Sequence, residues 1–339
     1  MKKESKSSSA GGLALWLFVI LIMLVIILGG VTIMQKQNAS SAPATDEAVA
    51  EVAEMEVQST TEVPTEAPTE PVTTKRTYNF DYLTVSSETV LLLDSQGEEL
   101  YSQNADEIVY PASLTKIMTA IVALENVYNI DESIMITGDI YNTVNAENGS
   151  TAGFLAYEEV SYRDLLYGTV LSSGAECCLT LANYISGSEW SFVQLMNEKA
   201  SELGMNNTNF TNVCGFHNSD HYSTARDMAV LMEYALANET FYEIFTSKNY
   251  YTETNKHPSG ITLSSTVFSQ MDSSLIAGGE ILGGKTGFTD QAGLCLASIA
   301  DIGGERFTLI TMGAPGSHYT EPLHILDAET IYEYVSEQQ

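Results

Sequence analysis

The chain has 339 residues, 44% of them hydrophobic, and 44 acidic residues against 14 basic ones give a net charge of −30. This length and apolar content allow one large hydrophobic core or two smaller ones. The strong negative charge disfavours a polyanionic partner, so we expect no binding to nucleic acid.

The N-terminus has the pattern of a membrane anchor. An uncharged run rich in Leu, Ile and Val extends over residues 13–31, and three lysines precede it. At about 1.5 Å per residue, a helix of this length comes close to the ~30 Å thickness of a bilayer core. Lysines ahead of the run keep the N-terminus in the cytoplasm. We therefore predict a cytoplasmic tail at 1–12 and a single transmembrane signal anchor at 13–34, with the remainder outside a bacterial cell membrane. Whether the anchor is later cleaved stays open.

The next segment, residues 35–76, reads as a linker. It is acidic and rich in threonine and proline, and it holds four of the eight prolines of the chain. Such a composition cannot bury a core, and charge repulsion keeps it extended. The catalytic domain is predicted at 77–339, which contains eight basic and 35 acidic residues.

Within that domain, hydrophobic periodicity and turn residues predict elements of both kinds. Strands are predicted at 89–94, 99–102, from Lys285 onward, and at 294–299 and 306–312; helices are predicted from Ser113, at 162–171, 175–185, 190–203, 224–237 and 328–335. This order favours an α+β domain in which an antiparallel sheet is completed from both ends of the chain.

Candidate chemistry begins at Ser113-Leu114-Thr115-Lys116. Apolar residues at 114, 117, 118, 121 and 122 follow the period of an amphipathic helix, and Pro111 suits its entrance. Residues three apart share a helix face, so the Ser113 hydroxyl would lie beside the Lys116 amine. Free N–H groups at a helix start can stabilise an oxyanion. The tetrad alone is common in proteins.

Two further motifs follow in order. Ser172-Ser173-Gly174 interrupts two predicted helices, and Lys285-Thr286-Gly287 follows paired glycines at a strand start. Each is commonplace by itself. Together with the tetrad, they match the set that is typical of class A β-lactamases and penicillin-binding proteins.

The sequence resembles the serine D-alanyl-D-alanine carboxypeptidases, the low-molecular-mass penicillin-binding proteins. The likeness covers about 82–313 and includes the three motifs, the stretch Ser223-Thr224-Ala225-Arg226-Asp227 and the run from Lys285 to Gly293. It implies a β-lactamase/transpeptidase-like fold, an antiparallel sheet flanked by helices with a helical subdomain. It also implies hydrolysis of the terminal D-Ala-D-Ala bond of peptidoglycan pentapeptides, inhibition by β-lactam antibiotics, and no cofactor or metal.

The same resemblance assigns roles to residues. Ser113 is the expected nucleophile, Lys116 its base and Ser173 the proton carrier to the leaving amine; the expected substrate-binding residues are Lys285, Thr286, Gly287, Phe288, Thr289 and Ala175. The backbone N–H groups of Ser113 and Phe288 would form the oxyanion hole. As a base, Lys116 must be uncharged, and desolvation together with the charge of Lys285 would favour that form.

Two departures from the family pattern are visible. Family members usually have Asn where Ala175 stands, and a lost hydrogen bond of this kind costs about 1.5–3 kcal/mol. Many relatives also place an arginine for the substrate carboxylate where Ala314-Pro315-Gly316 stands here. We therefore expect slower or altered turnover, with carboxylate recognition resting on Lys285, Thr286 and Thr289.

Other interpretations compete with this one. A β-lactamase-like hydrolase would need a Glu-x-x-Leu-Asn stretch, and no Leu-Asn pair occurs in the chain. A zinc peptidase could be argued from His217 and His221, but the glutamate of H-E-x-x-H is missing. A weakened or inactive wall-binding homologue is a third reading. The four cysteines are expected to be small buried side chains, with one disulfide as the alternative.

Overall fold

The computed structural model describes residues 77–339. Its strands are β1 Thr89–Leu93, β2 Glu99–Gln103, β3 Ser133–Met135, β4 Glu159–Ser161, β5 Asn249–Thr252, β6 Ile261–Ser264, β7 Leu275–Ile276, β8 Gly279–Thr289, β9 Gly293–Ile302 and β10 Glu305–Ala314. Its α-helices are α1 Thr115–Asn126, α2 Gly138–Ala146, α3 Tyr162–Val170, α4 Ala175–Ser186, α5 Glu189–Glu202, α6 Ala225–Leu236, α7 Glu239–Thr246 and α8 Leu323–Ser336. Single 3-10 turns occur at Ala112–Leu114 and Phe268–Gln270.

The main sheet is antiparallel and has six strands in the order β2-β1-β10-β9-β8-β7. The first strand pairs with the last, with Thr89 opposite Met312 and Leu93 opposite Thr308. The prediction that both ends of the chain complete one antiparallel sheet is confirmed.

Both faces of this sheet are buried. Along β1, Leu91 and Leu93 belong to one hydrophobic cluster, whereas Val90 and Leu92 belong to the other. Alternate side chains of a strand point to opposite faces, so the unbroken apolar run of β1 reflects two covered faces. Helix α8 contributes to the second cluster, while α6 and the other helices contribute to the first.

Helix α1 lies at the centre of the helical region. Its residues Ile117, Met118 and Ile121 are 0–1% exposed, and the helix packs against α3, α4, α5, α6 and α7. The predicted apolar face is buried, but residues 115–123 are all buried, so this part of the helix has no exposed face, unlike an amphipathic surface helix. The helical subdomain beside the sheet is confirmed as well.

The structure also differs from the predicted elements. Ser113 lies in the 3-10 turn, and regular α-helix begins two residues later, at Thr115. Helix α8 starts at Leu323 rather than at 328. Helix α2 was not predicted because only Ile140 and Val144 of its nine residues are buried. Helix α7 was missed although Asn238 caps it, its side chain accepting the Phe241 N–H at 3.0 Å.

The predicted anchor at 13–34 and linker at 35–76 lie outside the described residues. Within 77–339, no helix is both long enough and apolar enough to cross a membrane. Cys177, Cys178, Cys214 and Cys295 are all buried and carry free thiols. This confirms the expectation of small buried side chains.

Candidate active site

The predicted nucleophile and base are in direct contact. The Lys116 Nζ lies 2.9 Å from the Ser113 Oγ, and the lysine is only 1% exposed. The 3-10 turn presents Ser113 just ahead of α1, and the first full helical turn brings Lys116 back beneath it. The spacing of the tetrad therefore places the two groups side by side, as predicted.

The loop around Cys214 also holds the amine of Lys116. The Lys116 Nζ donates to the Cys214 carbonyl at 2.8 Å. The Asn212 Oδ1 holds that loop by accepting the N–H groups of Cys214, Gly215 and Phe216 at 3.1, 2.7 and 3.0 Å. Gly215 has φ +82°, and a β-carbon there would lie 1.8 Å from the Ala112 carbonyl oxygen, so only glycine fits.

Two non-glycine residues of the site adopt left-handed backbone conformations. Ala112, next to the predicted nucleophile, has φ +46°, and Ser173 has φ +59°. Such conformations cost about 1–3 kcal/mol each and persist where the surroundings enforce them. At Ser173 the surroundings include the Ser150 hydroxyl, which donates to the Ser173 carbonyl at 2.5 Å. Strain of this kind clusters at functional sites.

Lys285 forms a second buried amine next to Ser173. Its Nζ donates to the Ser173 Oγ at 2.9 Å and to the Thr286 carbonyl at 2.7 Å, and the residue is 0% exposed. Burial, followed by the positive charge of Lys116, holds the pKa of Lys285 well below its usual range. The repulsion between the two buried amines is mutual, because a proton on either one disfavours a proton on the other.

Strand β8 brings the third motif to the nucleophile. A β-carbon on Gly287 would lie 3.0 Å from the Ser113 nitrogen and 3.2 Å from the Pro111 carbonyl oxygen. The strand can therefore approach the 3-10 turn this closely only because residue 287 has no side chain. One edge of β8 pairs with β9 along residues 285–289. The opposite edge pairs with β7 only at Gly279 and Glu280, so among residues 77–339 no strand covers that edge at 285–289.

These elements surround a cleft of about 810 Å³. The predicted site residues that line it are Ser113, Lys116, Ser173, Thr286, Gly287, Phe288 and Thr289. Other residues in its wall were not identified from the sequence, among them Glu147, Asn148, Cys214, His318 and His324. No motif marks them, because they come from loops that only the fold brings together.

Ala175 and Lys285 do not line the cleft. Ala175 is 0% exposed, and its N–H donates to the Ser150 carbonyl at 2.8 Å. A β-carbon built on Gly149 would lie 3.1 Å from the Ala175 methyl group and 2.9 Å from the Phe216 ring. The loop after α2 thus covers Ala175, the position at which the family resemblance led us to expect Asn.

Glu176 helps to hold that loop. Its Oε1 accepts the N–H groups of Ala152 and Gly153 at 2.6 and 3.1 Å. Burial raises the pKa of Glu176 to about 7, and the two backbone hydrogen bonds counteract part of that rise. The carboxyl group therefore titrates near neutral pH directly behind the second motif.

The two histidines of the zinc hypothesis have separate surroundings. His221 is buried; its Nδ1 accepts the Thr211 N–H at 3.1 Å, and its Nε2 lies 2.7 Å from the Thr115 Oγ1. His217 instead packs edge-on against Tyr110, with ring centroids 4.7 Å apart. In the described part of the chain, no group of three His, Cys, Asp or Glu residues is arranged to hold a metal ion.

The comparisons with known proteins agree with this geometry. The D-alanyl-D-alanine carboxypeptidase family, peptidase family S11, matches residues 73–316. The chain is 32% identical over 229 residues to the D-alanyl-D-alanine carboxypeptidase DacF of Bacillus subtilis (strain 168), which covers 66% of this chain and 56% of the relative. It is 35% identical over 233 residues to DacC of Escherichia coli (strain K12), with coverage of 66% and 56%.

A solved structure shows the same architecture. The crystal structure of the Streptomyces K15 DD-transpeptidase superposes with a TM-score of 0.66 at 28% identity, covering 74% of this chain and 97% of that one. The fold is therefore that of the DD-transpeptidase and carboxypeptidase penicillin-binding proteins. The chain belongs to the D-alanyl-D-alanine carboxypeptidase family. It spans just over half the length of the first two curated relatives.

The packing around Ala175 leads to a first prediction. In the Ala175→Asn variant, the larger side chain must displace the loop at Gly149, which lies against the Ala175 methyl group. We expect the free energy of unfolding to fall by about 1–3 kcal/mol, as in other overpacked sites. Ala146→Asn, at an exposed position of α2, is the control and should lose only helix propensity, about 0.7 kcal/mol. Urea unfolding measures both. An Ala175→Asn variant as stable as the wild type would contradict the packing argument.

A second prediction concerns His221. Burial lowers its pKa from 6.5 to about 4. Between these two values the unfolded chain binds a proton that the folded protein does not, so folded-state stability falls as the pH decreases from about 6.5 to 4. The wild type should lose of the order of 3 kcal/mol of unfolding free energy over this pH range because of His221. His221→Gln lacks this loss, so the stability difference between wild type and variant, measured by urea unfolding, should shrink as the pH decreases. A difference independent of pH would refute it.

Proposed function

We propose that the protein is a serine-type D-alanyl-D-alanine carboxypeptidase that removes the terminal D-Ala from peptidoglycan stem peptides. The observation that carries this proposal is the 2.9 Å contact between the Lys116 Nζ and the Ser113 Oγ in the wall of an 810 Å³ cleft. Membership of the family supports the substrate class. No cofactor or metal has a part in the chemistry proposed.

The first step is acylation. The Ser113 oxygen attacks the carbonyl carbon between the two D-alanines, and its proton passes to the uncharged amine of Lys116. The backbone N–H groups of Ser113 and Phe288 stabilise the negative oxygen of the tetrahedral intermediate. The close approach of Gly287 to the Ser113 nitrogen supports this assignment, because it brings the two backbone segments together.

Release of D-alanine completes acylation. The carbon–nitrogen bond breaks, and the leaving amine takes a proton from the Ser173 hydroxyl, which regains one from Lys116. Ser173 is suited to this because Lys285 fixes its oxygen at 2.9 Å and because its own backbone is held in a strained conformation. Water then attacks the ester carbonyl, and Ser113 is restored with its proton.

The substrate backbone has a binding surface at the edge of β8. Residues 285–289 pair with β9 on one side only. An extended stem peptide that adds as a further strand would satisfy the free backbone groups of that edge. Thr286 and Thr289 line the cleft beside it. We assign Thr286, Gly287, Phe288 and Thr289 to substrate binding, and the buried Lys285 contributes by holding Ser173.

The proposed location of the enzyme is the outer side of a bacterial cell membrane. The apolar run at 13–34 would anchor it as a single-pass protein, and the linker at 35–76 would act as a spacer between membrane and wall. β-Lactam antibiotics would acylate Ser113 because they resemble the D-Ala-D-Ala end. The sequence of the anchor and linker supports this arrangement.

Release of D-alanine from an acyl-L-Lys-D-Ala-D-Ala peptide is the test. Ser113→Ala and Lys116→Ala should each lower kcat by at least about 10³-fold, because they remove the nucleophile or its base. Ser173→Ala should lower it by about 10²–10⁴-fold. The neighbouring Ser172→Ala, whose hydroxyl donates to the Ser264 carbonyl at 3.4 Å, is the matched control and should retain wild-type activity.

Three results would count against the proposal. Full activity of Ser113→Ala would exclude this serine as the nucleophile. A folded wild-type protein that releases no D-alanine would favour the inactive wall-binding homologue. Rapid turnover of a chromogenic cephalosporin would favour a β-lactamase-like hydrolase.

A further inference from the structure

The substrate that we propose ends in a carboxylate, and the two lysines of the site are already engaged. Lys116 is bonded to Ser113 and to a backbone carbonyl, and Lys285 is bonded in the same way beside Ser173. The remaining charged residues of the cleft wall, Glu147 and Asp290, are acidic. No arginine is among the described residues that line the cleft.

The remaining side-chain N–H donors of the cleft wall are the amides of Asn148, Gln270 and Gln291 and three imidazole rings. His217, His318 and His324 all line the cleft. His318 lies in the loop between β10 and α8 and packs edge-on against Phe288 of β8, with ring centroids 4.7 Å apart. His318 is therefore next to the strand edge that carries the third motif.

His324 lies in the first turn of α8 and lines the same cleft. It is 1% exposed, and its Nδ1 has no hydrogen-bond partner among residues 77–339. An unpartnered buried polar group costs about 1–3 kcal/mol, and a native structure rarely keeps one without a reason. Burial, with the charge of His318 as the second cause, lowers the pKa of His324 to about 4. At neutral pH it is thus an uncharged ring that still carries one N–H.

The neighbours of His318 connect it to the proposed reacting centre. A β-carbon on Gly287 would lie 3.0 Å from the Ser113 nitrogen, and Phe288, whose ring contacts that of His318, is the next residue of the strand. In a terminal D-alanine the carboxylate carbon is only two bonds from the scissile nitrogen. His318 therefore lies in the same cleft as Ser113 and packs against the residue that follows Gly287, with ring centroids 4.7 Å apart.

We propose that His318 and His324 form the wall that recognises the free C-terminal carboxylate of the substrate. His318 donates an N–H to the carboxylate, and His324, which lines the same cleft with an unpartnered ring nitrogen, adds a second polar group to that wall. This inference rests on the proposed function, because the anionic end belongs to the D-Ala-D-Ala substrate. It replaces the expectation that Lys285, Thr286 and Thr289 carry this recognition without a further residue.

The test compares two peptides on the full chain: acyl-L-Lys-D-Ala-D-Ala and the same peptide with a C-terminal amide. For His318→Ala, kcat/KM on the free acid should fall about 10- to 100-fold, through KM more than kcat, whereas the value on the amide should change less than about threefold. His318→Gln keeps an N–H donor and should recover part of the loss. His324→Gln should lower the acid-to-amide ratio by a smaller factor.

His217→Ala is the matched control, because His217 also lines the cleft and also packs edge-on against an aromatic ring at 4.7 Å. It should leave the acid-to-amide ratio unchanged. An unchanged ratio in His318→Ala, or a lower ratio in His217→Ala alone, would overturn the inference.

A second readout separates this inference from the proposed function. Penicillin G and its methyl ester differ only in the free carboxylate, and their acylation rates require no D-alanine release. His318→Ala should lose the preference for the free acid, and circular dichroism checks that the variant is folded. If wild type hydrolyses neither peptide but reacts with penicillin G faster than with its ester in a His318-dependent way, the proposed function fails while the wall stands. If wild type reacts with none of the four compounds, both fail.

Discussion

The site depends on one buried amine, that of Lys116, held between the Ser113 hydroxyl and the Cys214 carbonyl. An amine with 1% exposure has no water to replace those partners, so both must be supplied by the fold. Helix α1 sets the first contact, and the Asn212 loop sets the second through three N–H groups bound to one side-chain oxygen. Two backbone segments approach the 3-10 turn of Ser113 so closely that a side chain would clash, and glycine stands at both points, Gly215 and Gly287.

The rest of the fold can be understood as support for that contact. The sheet is completed by strands from both ends of the chain, so β8 lies inside the domain with one edge left for the cleft. The helical region covers the other wall, and the Ser150 loop ties it to Ser173. Two amines are buried near one another, and burial, followed by the charge of Lys116, lowers the pKa of Lys285. Such perturbed groups are typical of functional sites.

Much of this could be predicted from the sequence, for reasons that differ between residues. The tetrad was recognisable because a helix repeats every 3.6 residues, so Ser113 and Lys116 had to meet. The paired glycines before Lys285 indicated a strand that something approaches closely. By contrast, the Cys214 carbonyl is a backbone atom, which no residue type announces. His318 and His324 lie in a loop and a helix start that only tertiary packing brings to the cleft. The burial of Ala175 depends on the loop at Gly149 and Ser150, which is distant from it in sequence.

The central claim is that Ser113, activated by Lys116, is the nucleophile of this cleft. Peptide mapping by mass spectrometry after reaction of the full chain with labelled penicillin tests it most directly. The account predicts a single covalent adduct on Ser113 in the wild type and no adduct in a folded Lys116→Ala variant. An adduct on any other residue, or an undiminished adduct in Lys116→Ala, would contradict it.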